Sequence, residues 1–375
     1  MSFVIHQYHR NRNFPSFNRP EVVGYFSLNG QEREYSQDLS QLKYYTRNPH
    51  SKQEVDFDLN EGLDQVIRKP ANLDEKLNHI LRWIVNNYRT IKASPELNRW
   101  LLRPEFVCFR GLLTKIVCTP FENRDGWIIC AMKFHGTIYL VAFDTEEQKC
   151  KNASLTQKDL QFMSWGFKFE QYVLSDSPGS SPKTDKPVNE AEEFCCLFST
   201  KLGHKTLLYG AEMDGVCSRD VVREPVNWKY LKFVELKTNR VIKNSYQEQN
   251  YRRKLLKWWC QCFLVGIDEV IYGTRTDQGK VFELDNVKVT EMPKIARAFW
   301  NASECMNFCN DFLNHVRTVV TREYKECVYK FEYKLGETIE MQMLPSTSEF
   351  SFLPDWYIEQ ANRIIQTSQL NIGVQ

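Results

Sequence analysis

No apolar run in this sequence is long enough to span a bilayer, and none of its 12 cysteines forms a CxxC pair. The first absence excludes a helical membrane span, so no membrane partner is expected. The second argues against a thiolate zinc centre, since the closest pairs are Cys195–Cys196, Cys260-x-Cys262 and Cys305-x-x-x-Cys309. Free thiols in a reducing compartment are the plain expectation. The opening Met1-Ser2-Phe3 runs into HQYHRNRNF, which lacks the apolar core of a signal peptide. The Asn-Ala-Ser sequons at Asn152 and Asn301 are therefore expected to go unused. Charge of one sign is also scarce: the net is +2, so contact with a polyanion has to come from a local basic patch. No internal repeat is visible.

What is present is apolar and aromatic material for a large core, 42% hydrophobic with nine Trp and 24 Phe. One domain over residues 1–375 is expected, with the Ser/Pro/Asp-rich SDSPGSSPKTDKPVNE (175–190) as a surface loop. Residues 1–70 show few clear periods. Leu77, Ile80, Leu81, Ile84, Val85 and Tyr88 make a helical stripe, with Asn72 and Glu75 resembling a capping box. A β-rich block follows, comprising FVCFRGLLTKIVCTPF and a hairpin turning at His135-Gly136. Later come FCCLFSTKL, LLYGAEMDGV, YLKFVELKT, the helix NYRRKLLKWWCQCFLVG, a strand–turn–strand in VIYGTRTDQGKVFEL, and a helix around SECMNFCNDFLNHVRTVV. This interleaving predicts a mixed α/β layer fold, with twisted mixed sheets flanked by helices.

The strand FVELKT is the point of chemical interest. Alternation puts Phe233, Glu235 and Lys237 on one face, and Val234 and Leu236 on the other. Upstream, Glu212 and Asp214 stand two apart beside another apolar run. Three carboxylates and a lysine at two strand ends are costly to bury unpaired, and a divalent cation relieves that cost. Oxygen ligands favour a hard ion, Mg²⁺ or Mn²⁺. An acid followed about twenty residues later by Glu-x-Lys is the spacing of restriction-endonuclease-like phosphodiesterases, which direct water onto phosphorus with metal assistance. The alternative is an exposed strand edge with alternating charges.

Between Lys229 and Lys257 nine Lys or Arg face two Glu, a local basic patch suited to phosphate. Helical spacing puts Lys254, Lys257 and Gln261 on one face, beside a stripe of Tyr251, Leu255, Trp258, Trp259 and Cys262. MSWGFKFEQYVL reads as a strand with Phe167 and Phe169 on one side and Lys168 and Glu170 on the other, Gly166 lying four residues before Glu170.

The set GFKFE, GAEMDG, FVELKT and KLLKWWCQ, with FRGLLTK, DSPGSSP, CMNFC and FLPDWY in order, resembles the DXO family of decapping nucleases from about residue 20 to about 358. The resemblance implies two divalent ions held by Glu170, Glu212, Asp214, Glu235 and the Leu236 carbonyl. It implies Lys237 and Gln261 at the scissile phosphate, and Arg110 with Phe109 and Gly111 at the adjoining part of the 5′ end. Arg33, Glu75 and Cys195 are carried over as pocket residues on shorter motifs. The implied activity is hydrolysis at RNA 5′ ends, releasing an NAD moiety, an unmethylated cap or pyrophosphate, with 5′–3′ exonuclease action in some members. Glu170, Asp214, Glu235 and Lys237 are the expected catalytic set. A monomer in nucleus or cytosol is expected, and a nuclear 5′–3′ exoribonuclease is a partner seen in fungal relatives. The rivals are a catalytically inactive RNA-end or exonuclease-binding protein, and a DNA-cutting phosphodiesterase.

Overall fold

The computed structural model describes residues 2–5, 12–47, 52–70, 73–93, 102–336 and 338–370. The elements that build the site are, in chain order, β1 (Glu21–Asn29), α1 (Asn78–Asn86), β2 (Phe106–Phe109), α2 (Arg110–Cys118), α3 (Gln157–Val173), β3 (Glu193–Leu202), β4 (Lys205–Glu212), β5 (Gly215–Cys217), β6 (Lys232–Arg240) and α4 (Ser245–Phe263). Among the described residues they belong to two sheets, one of ten strands and one of seven.

In the larger sheet β4 pairs antiparallel with β3 and parallel with β2, and β3 pairs antiparallel with β1. In the smaller one β6 lies between β5, antiparallel, and Glu269–Arg275, parallel. β4 ends at Glu212 and β5 begins at Gly215, so the chain crosses from one sheet to the other at Met213-Asp214. The Glu-x-Asp pair therefore stands in the crevice between the sheets.

Both faces of the larger sheet are covered. Leu207, Tyr209 and Ala211 join a core with α2, α4 and the helix Ala302–Val319, while Leu208 joins the core under α1 and the helix Asp355–Leu370. That double burial is why β3 and β4 read as continuous apolar runs. A third core lies between α3 and the smaller sheet, through Trp165, Phe169 and Val173 against Val234, Leu236 and Ile271. Among the described residues no helix is long and apolar enough to cross a membrane.

The hairpin turns where expected, with φ of 48° at His135 and 87° at Gly136, the left-handed pair a type I′ turn needs. Three expectations are corrected. MSWGFKFEQYVL is helix, not strand: Trp165, Phe169 and Val173 recur every four residues, and Thr156 with Asp159 closes a capping box. FVCFRGLLTKIVCTPF is strand only to Phe109, because Leu112, Leu113, Ile116 and Val117 recur at helical spacing. The early helix starts at Asn78. Asn72 lies outside the described residues, and Glu75 bonds Arg33 and His79 instead of capping. The weakly periodic first seventy residues hold strands, among them the nine-residue β1.

Candidate active site

β6 behaves as its alternation requires. Val234 and Leu236 are buried in the third core, and Glu235, 1% exposed, lies on the opposite face of the strand. Lys237 donates to Glu235 Oε1, and Arg110 Nη1 lies 3.3 Å from Glu235 Oε2. Arg110 opens α2, where a cation opposes the helix dipole, so its placement answers to the carboxylates in front of it. The same Nη1 is 3.4 Å from the Gln261 backbone carbonyl, which ties α2, β6 and α4 together and leaves the Gln261 amide unspent on that contact. Phe109 and Gly111 flank Arg110, and the space a Cβ would occupy at Gly111 is open.

Leu236 N–H donates to Asp214 Oδ2 at 2.6 Å. A strand residue projects its N–H and C=O to the same edge, so the Leu236 carbonyl also faces the Asp214 side. Glu170, from α3, lines a cavity of about 280 Å³ with Glu212, Asp214 and residues 186–189. Glu170, Glu212 and Asp214 thus line one cavity where the two sheets and α3 converge, and Glu235 acts on Asp214 from β6 beside it.

Their electrostatics are unequal. Burial, then repulsion by Asp214 and Glu212, raises the Glu170 carboxyl well above its ordinary value. Desolvation, with Glu193 and Asp214, pushes Glu212 up to about 8, and desolvation with Glu235 pushes Asp214 up to about 6. Burial would raise Glu235 too, but Lys237 and Arg110 outweigh it and hold that carboxyl below its usual value. Both cations hydrogen-bond Glu235, while the other three acids feel them only at a distance and repel one another.

This donor set suits a hard divalent ion: it is all oxygen, and Glu170, Glu212 and Asp214 line one cavity with no ion-pair partner among the described residues, Glu212 being open to solvent. Among the described residues, however, no three His, Cys, Asp or Glu side chains stand gathered as a ready cage. Their partners explain this, since Asp214 faces the Leu236 amide and Glu235 is held by Lys237 and Arg110.

A family model described as RAI1-like PD-(D/E)XK nuclease matches residues 18–358. The chain belongs to this family. It is 34% identical over 360 residues to a Xenopus laevis decapping and exoribonuclease protein, covering 93% of this chain and 88% of the relative. The fold is similar to that of Candida albicans Rai1, solved in complex with pU5-Mn2+, with TM-score 0.80, 19% identity and coverage of 97% and 100%. It is also similar to Scheffersomyces stipitis Rai1, solved in complex with (3′-NADP)+ and calcium ion, with TM-score 0.77, 20% identity and coverage of 93% and 98%.

The shorter motifs fare differently. Arg33, 4% exposed with φ of 53°, gives its guanidinium to Glu75 (2.7 and 3.0 Å), Glu193 (2.7 Å) and the Ala191 carbonyl (2.5 Å). Glu193, not Arg33 or Glu75, is what lines the cavity, so this pair braces the wall from behind. Cys195 pairs with Glu212 on the neighbouring strand but does not itself line this cavity. Its thiol is wholly buried in the core beside α1, because alternation along β3 turns Phe194 toward the cavity and Cys195 away. The cations Lys43, Lys183 and Lys186 and the acid Glu193 also line the cavity and were missed. No local motif marks them, because pairing of Cys195 with Glu212 brings Glu193 there.

Burial would raise the Glu75 carboxyl, but hydrogen bonds from His79, Arg33 and Lys69 hold it far below the usual range. Its stabilisation is present above the unfolded value near 4.5 and is lost as pH falls toward the folded value. Glu75→Gln should therefore cost about 3 kcal/mol at neutral pH. The deficit against wild type should narrow below about pH 4.5. Urea titrations across pH would check this, and a gap independent of pH would remove the ion-pair account.

Proposed function

We propose that this chain is a divalent-metal-dependent hydrolase of RNA 5′ ends. The observation that carries the reading is the crevice in which Glu170, Glu212 and Asp214 repel one another beside a Glu235 already held by Lys237 and Arg110. Retaining three mutually repelling acids is expensive unless a cation visits them. The names of the relatives, decapping and exoribonuclease protein among them, support RNA as the substrate.

Glu170, Glu212, Asp214, Glu235 and the Leu236 carbonyl would hold Mg²⁺ or Mn²⁺, two ions in the family's pattern. When bound, such ions supply Lewis-acid stabilisation of charge on the phosphate oxygens and acidify attacking water. Lys237 sits at the crevice and binds a phosphate oxygen, and the Gln261 amide donates to the same group from α4. Arg110 anchors the neighbouring 5′ portion while keeping Glu235 ionised. Burial of β6 between two strands keeps these groups rigid, so little reorganisation is needed when the phosphate enters. NAD-capped, unmethylated-capped and triphosphate ends are the proposed substrates, acted on in nucleus or cytosol by a monomer. A dead end-binding protein would have little reason to keep all four acids.

The test uses 5′-labelled RNA bearing NAD, an unmethylated cap, a methylated cap or a monophosphate, with Mg²⁺, Mn²⁺ or EDTA. Metal-dependent release of intact NAD or cap dinucleotide is the expected result, and binding without cleavage of any RNA would overturn it. In the same assay Gln261→Ala should lose about 5- to 150-fold, equivalent to ~1–3 kcal/mol for one charge-assisted hydrogen bond.

A further inference from the structure

We propose that Lys168 is a positioning residue that staples one wall of the cavity to α3, and so sets how tightly an RNA 5′ end is gripped. This deepens the reading above and rests on it.

α3 carries three stripes. Trp165, Phe169 and Val173 face the third core, and Phe167, Glu170 and Leu174, at its end, face the cavity. Ser164, Lys168 and Gln171, at i, i+4 and i+7, share the remaining face and all reach one segment, residues 184–190. Ser164 Oγ donates to Glu190 at 2.5 Å, Lys168 Nζ to the Thr184 carbonyl at 3.1 Å, and Gln171 Nε2 to the Lys186 carbonyl at 2.9 Å. Arg68 adds a bond to Glu190 at 3.2 Å.

Lys168 is the costly member. It is 1% exposed, and burial pushes its ammonium below the ordinary value against the more distant pull of Glu61 and Asp58. Its ammonium is met by Gln171 Oε1 at 2.9 Å, the Thr184 carbonyl and the Tyr172 ring at 5.1 Å. An apolar side chain would fill that place more cheaply, so the lysine is explained by what it holds. What it holds is functional surface: Lys183, Lys186 and Val188 line the cavity opposite Glu170. Lys186 also supplies positive charge for phosphates, and Lys183 is held at the cavity by Asp176 at 2.6 Å. Because substrate placement errors near 1 Å can cost about 10²-fold, the anchoring of this wall matters to binding although Lys168 touches no substrate.

Lys168→Met keeps length and removes the ammonium, while Lys168→Arg keeps the charge. Steady-state hydrolysis of 5′-monophosphate RNA with Mn²⁺ should show KM raised about 10-fold in Lys168→Met with kcat within about twofold. Tryptic cutting at the Lys183–Thr184 bond should quicken in parallel, and Lys168→Arg should restore both. Faster cutting with unchanged KM would overturn the proposal, as would no change in either or a fall in kcat alone. A wild-type protein without metal-dependent hydrolysis would sink the nuclease reading separately. Fluorescence anisotropy with the same labelled RNA then decides the staple: weaker binding by Lys168→Met supports it, and equal binding ends it.

Discussion

Asp214→Asn and Glu235→Gln should each lower metal-dependent hydrolysis by at least about 10²-fold, since loss of a mere outer-shell partner already costs 10- to 100-fold. They should nevertheless move the stability of the metal-free protein in opposite directions. Glu235 is the partner of Lys237 and Arg110, whose side chains are 25% and 10% exposed. Neutralising it strands two sequestered cations and should cost about 3 kcal/mol. Asp214 is in the reverse situation. Desolvation and Glu235 already disfavour its charge, and an amide oxygen can still accept from the Leu236 N–H. Its replacement should leave stability equal or higher. Denaturant titration in EDTA, beside the cleavage assay, separates the cases. Retained hydrolysis in both variants would sink the metal-ligand assignment, and equal destabilisation would sink the account of the charges.

Gly24→Ala should destabilise the fold by about 3 kcal/mol or more, although the residue lies in an unremarkable stretch of β1. A Cβ there would lie 2.1–2.3 Å from three atoms of the Trp83 indole. Trp83 is 1% exposed and sits on α1, so the ring has no room to retreat. α1 uses a second gap of the same kind, with Ile80 Cδ1 2.9 Å from where a Cβ would stand on Gly210 of β4. The helix thus seats into two missing side chains on β1 and β4. A lower urea midpoint for Gly24→Ala, partly recovered in Gly24→Ala/Trp83→Phe, is the expected result. A variant with the wild-type midpoint would mean the backbone of β1 shifts freely.

Glu235, Lys237, Glu212 and Asp214 were legible because each stands beside an apolar run in which charge is out of place. Gln261 stood out in the sequence for a similar reason, as an amide next to the Trp258-Trp259 seam. Glu170 was found by motif but on the wrong element. Phe167 and Phe169 alternate as in a strand, whereas Trp165, Phe169 and Val173 carried the helical period that decides it. For Cys195, a Cys-Cys pair in an apolar run does not say which thiol packs beside α1, and the structure puts Cys195 there.

By itself the sequence determined the chemistry available: four carboxylates, a lysine and a glutamine on segments whose period-2 or period-3.6 patterns commit one side to the core. Those patterns are local, and each follows from which faces of a strand or helix can leave water. Only the tertiary structure decided that Glu193 would join the cavity, that Arg33 and Glu75 would serve as a brace behind it, and that Lys168 would reach the wall. These depend on the pairing of β3 with β4 and on the packing of α3 against residues 184–190. Contacts between residues distant in sequence are set by the mutual fit of whole elements, and no local pattern encodes that fit.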